Sequence, residues 1–164
     1  MNIRPATADD LPSLLSLERK CSSAAHWTRL QYEQLFHPAS GGFEWFVRVV
    51  DGIPSTGAAP AQTPDATISI LAFLVARHLA PDWELENIVV DPASRRTGLG
   101  KRLLDALFAA ALETNSEAVF LEVRESNTPA RSLYEKAGFH LSGRRKSYYS
   151  NPIEDSILYR KKLR

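Results

Sequence analysis

The stretch with the most evident chemistry is Arg95-Arg96-Thr97-Gly98-Leu99-Gly100-Lys101, which follows Ile88-Val89-Val90-Asp91-Pro92. An apolar β-branched run stops at Asp91-Pro92, a basic turn follows, and a helical pattern opens inside the glycines. The first turn of a helix presents N–H groups with no partner and a partial positive charge. Glycine has no Cβ to hold an anion away from the backbone. Together these features predict a cradle for a diphosphate. Arg95, Arg96, Lys101 and Arg102 can add charge-assisted contacts, some of them to a further phosphate.

The spacing limits which phosphate loop this is. A Walker A loop is excluded, because G-x-x-x-x-G-K-[ST] does not occur here. A dinucleotide fingerprint needs a third small residue where Leu103 stands, and it normally opens the first βαβ unit rather than lying past the midpoint. Glu122 nonetheless falls where the ribose-binding acid of that fingerprint would be, about 20 residues on. That alternative stays open, as does an ordinary helix start with solvated arginines.

The elements that position the turn follow from periodicity. Ile3 begins a short apolar start, and Thr7 to Asp10 read as the start of a helix with Pro12 in its first turn. Thr28 and Gln31 make a capping box for a second helix that ends near His37-Pro38. Strands are predicted over Phe43–Val50, Thr67–Ala76 and Trp83–Val90. Between the first two, 51–66 is rich in Pro, Gly and Ala and reads as a flexible hairpin loop. Gly98–Thr114 carries Leu99, Leu103, Leu107 and Ala110 on one helical stripe. A buried-type strand over Ala118–Arg124 follows. Next comes a helix over Asn127–Ala137 with Pro129 near its start and Gly138 past its end. Phe139–Tyr149 and Ser156–Lys162 read as strands. The order β-α-α-β-β-β-α-β-α-β-β predicts a mixed α/β (α+β) sheet with helices on both faces, in a single domain over 1–164.

These motifs resemble one family. Arg95-x-x-Gly98-x-Gly100 matches the R/Q-x-x-G-x-G/A motif of the GNAT acyl-CoA N-acyltransferases, and Ile88-Val-Val-Asp-Pro92 looks like the strand before it. Leu121-Glu-Val-Arg-Glu-Ser-Asn127 and Pro129-Ala-Arg-Ser-Leu-Tyr-Glu-Lys-Ala-Gly-Phe139 resemble the next two elements. The resemblance covers about Trp83 to the C-terminus. Within the family it is nearest to the RimI-type ribosomal-protein alanine N-terminal acetyltransferases. The first 50 residues resemble them loosely through His26-Trp27-Thr28, and 51–66 departs from the compact family hairpin. The resemblance implies a GNAT fold with a mostly antiparallel sheet and acetyl-CoA as co-substrate. It also implies direct acetyl transfer to a protein N-terminus, that of a ribosomal protein starting with alanine. Acetylation of a small amine, or a non-catalytic acyl-CoA sensor, are the alternatives.

The resemblance carries residue roles with it. Diphosphate contacts fall to Arg95, Arg96, Thr97, Gly98, Leu99, Gly100 and Lys101. The pantetheine arm would add like a strand to Ile88, Val89 and Val90, where a backbone N–H would face the developing oxyanion. Asn127 would hydrogen-bond that arm, although a helix cap alone also explains an asparagine there. Glu122 is the implied proton acceptor. It stands within Val119-Phe-Leu-Glu-Val, where partial burial makes a carboxylate a better base, unless it faces solvent or pairs with Arg124. Tyr134 is the implied donor to the leaving thiolate, unless it only packs the core. An α-amine with pKa near 8 is roughly 10–20% neutral at pH 7, whereas lysine is neutral at only about one part in a thousand. A modest base therefore suffices for an N-terminus. Glu84, Glu86 and Glu125 form either an acidic mouth for a cationic peptide or three solvated carboxylates.

Composition sets the remaining expectations. The formal net charge is +1, so bulk charge gives no reason to expect nucleic-acid binding. No apolar run reaches the roughly 18–20 residues of a membrane span. The N-terminus carries Asp9, Asp10 and Glu18 where a signal peptide would be basic and then apolar. The lone Cys21 reads as a small buried hydrophobe far from the motif. It cannot form a disulfide within the chain, which fits a reducing, cytoplasmic setting. The four histidines lack metal-ligand spacing, so no metal is expected.

Overall fold

The computed structural model describes residues 1–37, 44–53 and 68–164. Of the loop expected over 51–66, Asp51 and Gly52 belong to a strand, Ile53 follows it, and 54–66 lie outside the described residues. Pro38, Phe43 and Thr67, where element ends were expected, also lie outside them. The strands are β1 (Asn2–Pro5), β2 (Glu44–Gly52), β3 (Ser69–Leu79), β4 (Asp82–Val90), β5 (Ala118–Arg124), β6 (His140–Tyr149) and β7 (Glu154–Lys162). The helices are α1 (Leu11–Arg19), α2 (Arg29–Gln34), α3 (Leu99–Glu113) and α4 (Thr128–Lys136). They follow the predicted order.

Local chemistry fixes the helix starts. The Thr7 N–H donates to the Asp10 carboxylate at 2.8 Å, and Thr28 and Gln31 form the predicted capping box. Arg4 reaches both Asp10, at 2.7 Å, and Asp51, at 2.6 Å, so it ties β1, the start of α1 and β2 together.

The strands form one sheet in the order β1-β2-β3-β4-β5-β7-β6. Every neighbouring pair is antiparallel except β4 with β5. Alternate residues of each strand enter opposite cores. Leu74 and Ala76 of β3, with Leu121 of β5, join the cluster of α3 and α4; Phe73 and Val75 join that of α1 and α2. Helices therefore cover both faces. On α3 the buried stripe is Leu99, Leu103, Leu107 and Ala111, with Leu104 beside it. Leu103, where a dinucleotide fingerprint would have a third small residue, is wholly buried in the core. Leu103→Ala is expected to lower unfolding free energy by about 2–5 kcal/mol, a transfer plus cavity cost, read by urea denaturation. No helix among the described residues is long and apolar enough to cross a membrane.

Candidate active site

The site begins where β4 and β5 part. Their parallel pairing covers only Trp83↔Val119, Glu84↔Phe120 and Leu85↔Leu121. At that point β4 also slips one residue against β3: Val75 faces Asn87 and Ala76 faces Leu85, leaving Glu86 in a bulge. A bulge bends its strand and raises its twist. Beyond it, Ile88, Val89 and Val90 stay paired to β3 but have no ladder to β5. Among the described residues, their outer backbone edge pairs with no strand and can take an extended partner, with only side chains, those of Arg95 and Cys21, at the Val90 carbonyl.

The open edge leads into the turn before α3. Asp91 caps a short 3-10 turn through the Ala93 N–H, and Thr97 donates to the Ser94 carbonyl at 2.6 Å. The first backbone bond of α3 is Arg102 N–H to Gly98 O, at 3.1 Å. Among the described residues, the N–H groups of Arg96, Thr97, Gly98, Leu99, Gly100 and Lys101 therefore have no hydrogen-bond partner. Six consecutive donors at a helix start make an anion cradle. The two glycines serve it differently. Gly98 has φ +86°, a left-handed conformation that suits glycine. Gly100 has helical geometry, but a Cβ there would stand 2.9 Å from Leu133 of α4. Its smallness thus answers to helix packing.

The basic side chains are less committed to the turn than their types suggest. Lys101 turns along the helix to Asp105, at 2.7 Å. Arg102 donates to the Met1 carbonyl at 3.3 Å. Arg95 lies over the end of β4 and donates to the Val90 carbonyl at 3.4 Å. Cys21 is buried, as expected, but it is not far from the motif: its thiol reaches the same Val90 carbonyl at 3.5 Å. Burial pushes that thiol up, which keeps it protonated and a poor nucleophile.

Glu122 lies on β5 and Tyr134 on α4. Glu122 follows the last β4–β5 pair. It does not pair with Arg124; its carboxylate lies 3.1 Å from Arg145 and accepts from Ser156 at 3.2 Å. Its setting is thus polar and hydrogen-bonded rather than apolar. Tyr134 on α4 is 6% exposed and packs against Phe139 and Tyr159, with ring centroids 5.8 and 6.3 Å away. Burial, with a smaller contribution from Tyr149, pushes its phenol well above the ordinary range, so it keeps its proton. Asn127 caps α4 through the Ala130 N–H at 3.3 Å, and its amide donates to the Ser23 carbonyl at 3.4 Å. It thereby ties α4 to the segment between α1 and α2.

The three carboxylates considered as an acidic mouth are not bare. Arg77 pairs with Glu84 at 2.7 Å and with Glu86 at 2.5 Å, and Arg144 holds Glu125 at 2.6 Å. Burial, and then Glu84, push the Glu86 carboxyl up, while Arg77 opposes. Among the described residues no group of three or more His, Cys, Asp or Glu side chains is placed to hold a metal ion.

The sequence pattern of the Acetyltransferase (GNAT) family matches residues 12–139. The chain belongs to the GNAT family. Among GNAT relatives, the [ribosomal protein bS18]-alanine N-acetyltransferase of Haemophilus ducreyi is 39% identical over 84 residues, 51% of this chain and 58% of that protein. The match thus spans little more than half of that relative's length. The crystal structure of the ribosomal-protein-S18-alanine N-acetyltransferase from Escherichia coli superposes with a TM-score of 0.74 at 25% identity, covering 99% of this chain and 93% of that one. Chaetomium thermophilum Naa20 in complex with a bisubstrate analogue gives a TM-score of 0.77 at 21% identity over 99% of this chain and 86% of that one. The GNAT fold expected from the motif is the fold observed.

Sequence reasoning overlooked two features of this GNAT site. One is the buried cluster of Glu18, Asn87 and Tyr32. Asn87 donates to Glu18 at 2.9 Å and to the Tyr32 hydroxyl at 3.2 Å, pinning α1 and α2 to β4 beside its open edge. A polar Asn87 inside an apolar strand was the available signal. The other is Ser156, wholly buried on β7; nothing in its local sequence marks it.

Proposed function

We propose that this GNAT chain, a single domain over 1–164, is an acetyl-CoA-dependent N-α-acetyltransferase acting in the cytoplasm. Its acceptor is a protein N-terminus, that of a ribosomal protein starting with alanine. The observation that carries the reading is the edge of β4 at Ile88–Val90, which has no ladder to β5, followed by six free N–H groups at Arg96–Lys101, with Glu122 on β5 just past the last β4–β5 pair. The six free N–H groups of Arg96–Lys101 suit the diphosphate, and Arg95 and Arg96 are the basic residues of the same turn. Ile88, Val89 and Val90 suit the pantetheine amides as an added strand, and Asn127, the cap of α4, is the side chain proposed to bond that arm. The bS18-specific name of the Haemophilus ducreyi relative supports the choice of acceptor.

The chemistry is direct transfer in a ternary complex. The neutral amine attacks the thioester carbonyl, Glu122 takes the proton that nitrogen sheds, and Tyr134 protonates the departing sulfur. The chain's single cysteine, Cys21, is buried and held as a thiol, which does not favour an acyl-enzyme.

The cradle makes a binding prediction. A left-handed backbone costs a non-glycine residue about 1–2 kcal/mol, and the turn must reshape to avoid that cost. Gly98→Val is therefore expected to weaken CoA binding about tenfold, measured by isothermal titration, with the fold retained. The acceptor is tested by comparing kcat/KM for a basic peptide starting with alanine, free amino acids and spermidine. Preference for the peptide is the expected result; turnover confined to the small amines would move the chain to small-molecule acetylation. Acetyl-CoA binding with no turnover on any acceptor would make it an acyl-CoA sensor.

A further inference from the structure

The slip in β4 follows from one polar side chain. Trp83 and Leu85 pack on the α3 side of the sheet, and so do Ile88 and Val90. The step from Leu85 to Ile88 is therefore three residues, where regular alternation takes two. Alternation carried on from Leu85 would send Asn87 into the apolar core beneath α3, where an amide without partners is costly. With the slip, Asn87 faces α1 and α2 instead. It is 6% exposed and donates to Glu18 at 2.9 Å and to the Tyr32 hydroxyl at 3.2 Å. Glu18, itself buried, also accepts from the Trp27 N–H at 3.3 Å. A second tie at the slip, Glu86 to Arg77, is a partly exposed ion pair and contributes less.

The slip also decides which backbone groups face the open edge. Successive residues of an antiparallel strand turn their N–H and C=O groups to opposite edges. The Asp91 N–H donates to the Leu71 carbonyl at 2.8 Å, so Asp91 and Val89 face β3, while Ile88 and Val90 face outward. The Val90 carbonyl accordingly meets Cys21 and Arg95 rather than β3. A strand running on from Leu85 without the slip would turn Asn87 and Val89 outward, because one residue of slip exchanges the two sets. We propose that Asn87 is a positioning residue, held by Glu18 and Tyr32, whose buried hydrogen bonds keep the slip in place and so turn the Ile88 and Val90 groups toward the pantetheine arm. This rests on the acetyltransferase reading above, in which that arm adds to β4. None of the three side chains has to touch the ligand. The diphosphate turn is held by bonds of its own, from the Ala93 N–H to Asp91 and from Thr97 to the Ser94 carbonyl, so it keeps its shape without them.

Two ligands separate this role from general support of the fold. CoA has the pantetheine arm; adenosine 3′-phosphate 5′-diphosphate is the same nucleotide end without it. Both are titrated calorimetrically into the wild type, Asn87→Leu, Glu18→Leu and Glu18→Gln. A leucine in place of Asn87 suits the core beneath α3, so it favours the strand without the slip. Asn87→Leu and Glu18→Leu are expected to weaken CoA about tenfold, the effect of roughly one hydrogen bond, and to leave nucleotide binding unchanged. Glu18→Gln keeps an oxygen for Asn87 and is expected to bind CoA as the wild type does. Equal losses for the two ligands would mean general support, and unchanged CoA affinity in both leucine variants would mean that the slip holds without these bonds. Either result overturns the proposal, while wild-type CoA binding leaves the acetyltransferase reading intact. If the leucine variants do not fold, Tyr32→Phe, which keeps the ring packed against Trp27 and Phe73, decides by the same comparison: a loss confined to CoA upholds the proposal and its absence overturns it. A wild-type protein that binds neither ligand would remove both proposals together.

Discussion

Tyr134→Phe is expected to lower kcat by about two orders of magnitude or more while leaving the affinity for acetyl-CoA nearly unchanged. The reason lies in how little else the hydroxyl does. The ring fills the core between Phe139 and Tyr159, and phenylalanine keeps that packing. The phenol has no hydrogen-bond partner among the described residues, so its removal orphans nothing. On the proposed mechanism, what is lost is the proton for sulfur. Burial raises the proton affinity of the phenol, so it holds its proton in the resting site. Single-turnover kinetics with a CoA-thiol reagent, set beside titration of acetyl-CoA binding, reads both quantities. An unchanged rate would remove Tyr134 from the chemistry and leave it a core aromatic.

Glu122→Gln is expected to be the next most damaging change, with kcat/KM for the peptide lowered about a hundredfold near neutral pH. The sign of the pH dependence follows from the acceptor. Below pH about 8 most of an α-amine carries a proton that must be removed before attack. Above it the neutral amine is abundant, so the loss should shrink as pH rises. Glutamine is nearly isosteric and can still accept from Ser156, but it surrenders the pairing with Arg145. Stability should therefore change little, since that pair is partly exposed. The measurement is kcat/KM against pH for both proteins. Parallel profiles would argue that Glu122 organises the site without taking the proton.

What could be read from the sequence was local. The Gly-rich turn is encoded within a few residues, because glycines and a helix start need no distant partner, and its helix opens at Leu99, inside the glycines. The caps at Thr28 and Asn127 and the α3 stripe were legible for the same reason. The partners of Glu122 were not. Arg145 and Ser156 come from β6 and β7, and their meeting with β5 depends on ladder register, which two-residue alternation leaves open. The slip at Glu86 is equally a property of two strands, Val75 facing Asn87 and Ala76 facing Leu85. Cys21 looked remote because it lies 69 residues from Val90 in sequence; α1 brings the two together. Lys101 was legible as a cation but not as the i,i+4 partner of Asp105, since an exposed lysine has a choice of anions.

The most direct test of the central claim is CoA release with acetyl-CoA and an alanine-starting basic peptide, set beside the same peptide with its N-terminus blocked. Release with the open peptide, silence with the blocked one and an acetyl group on the α-nitrogen by mass spectrometry is the predicted result. Equal release from both would place the acetyl group elsewhere and contradict N-α-acetylation.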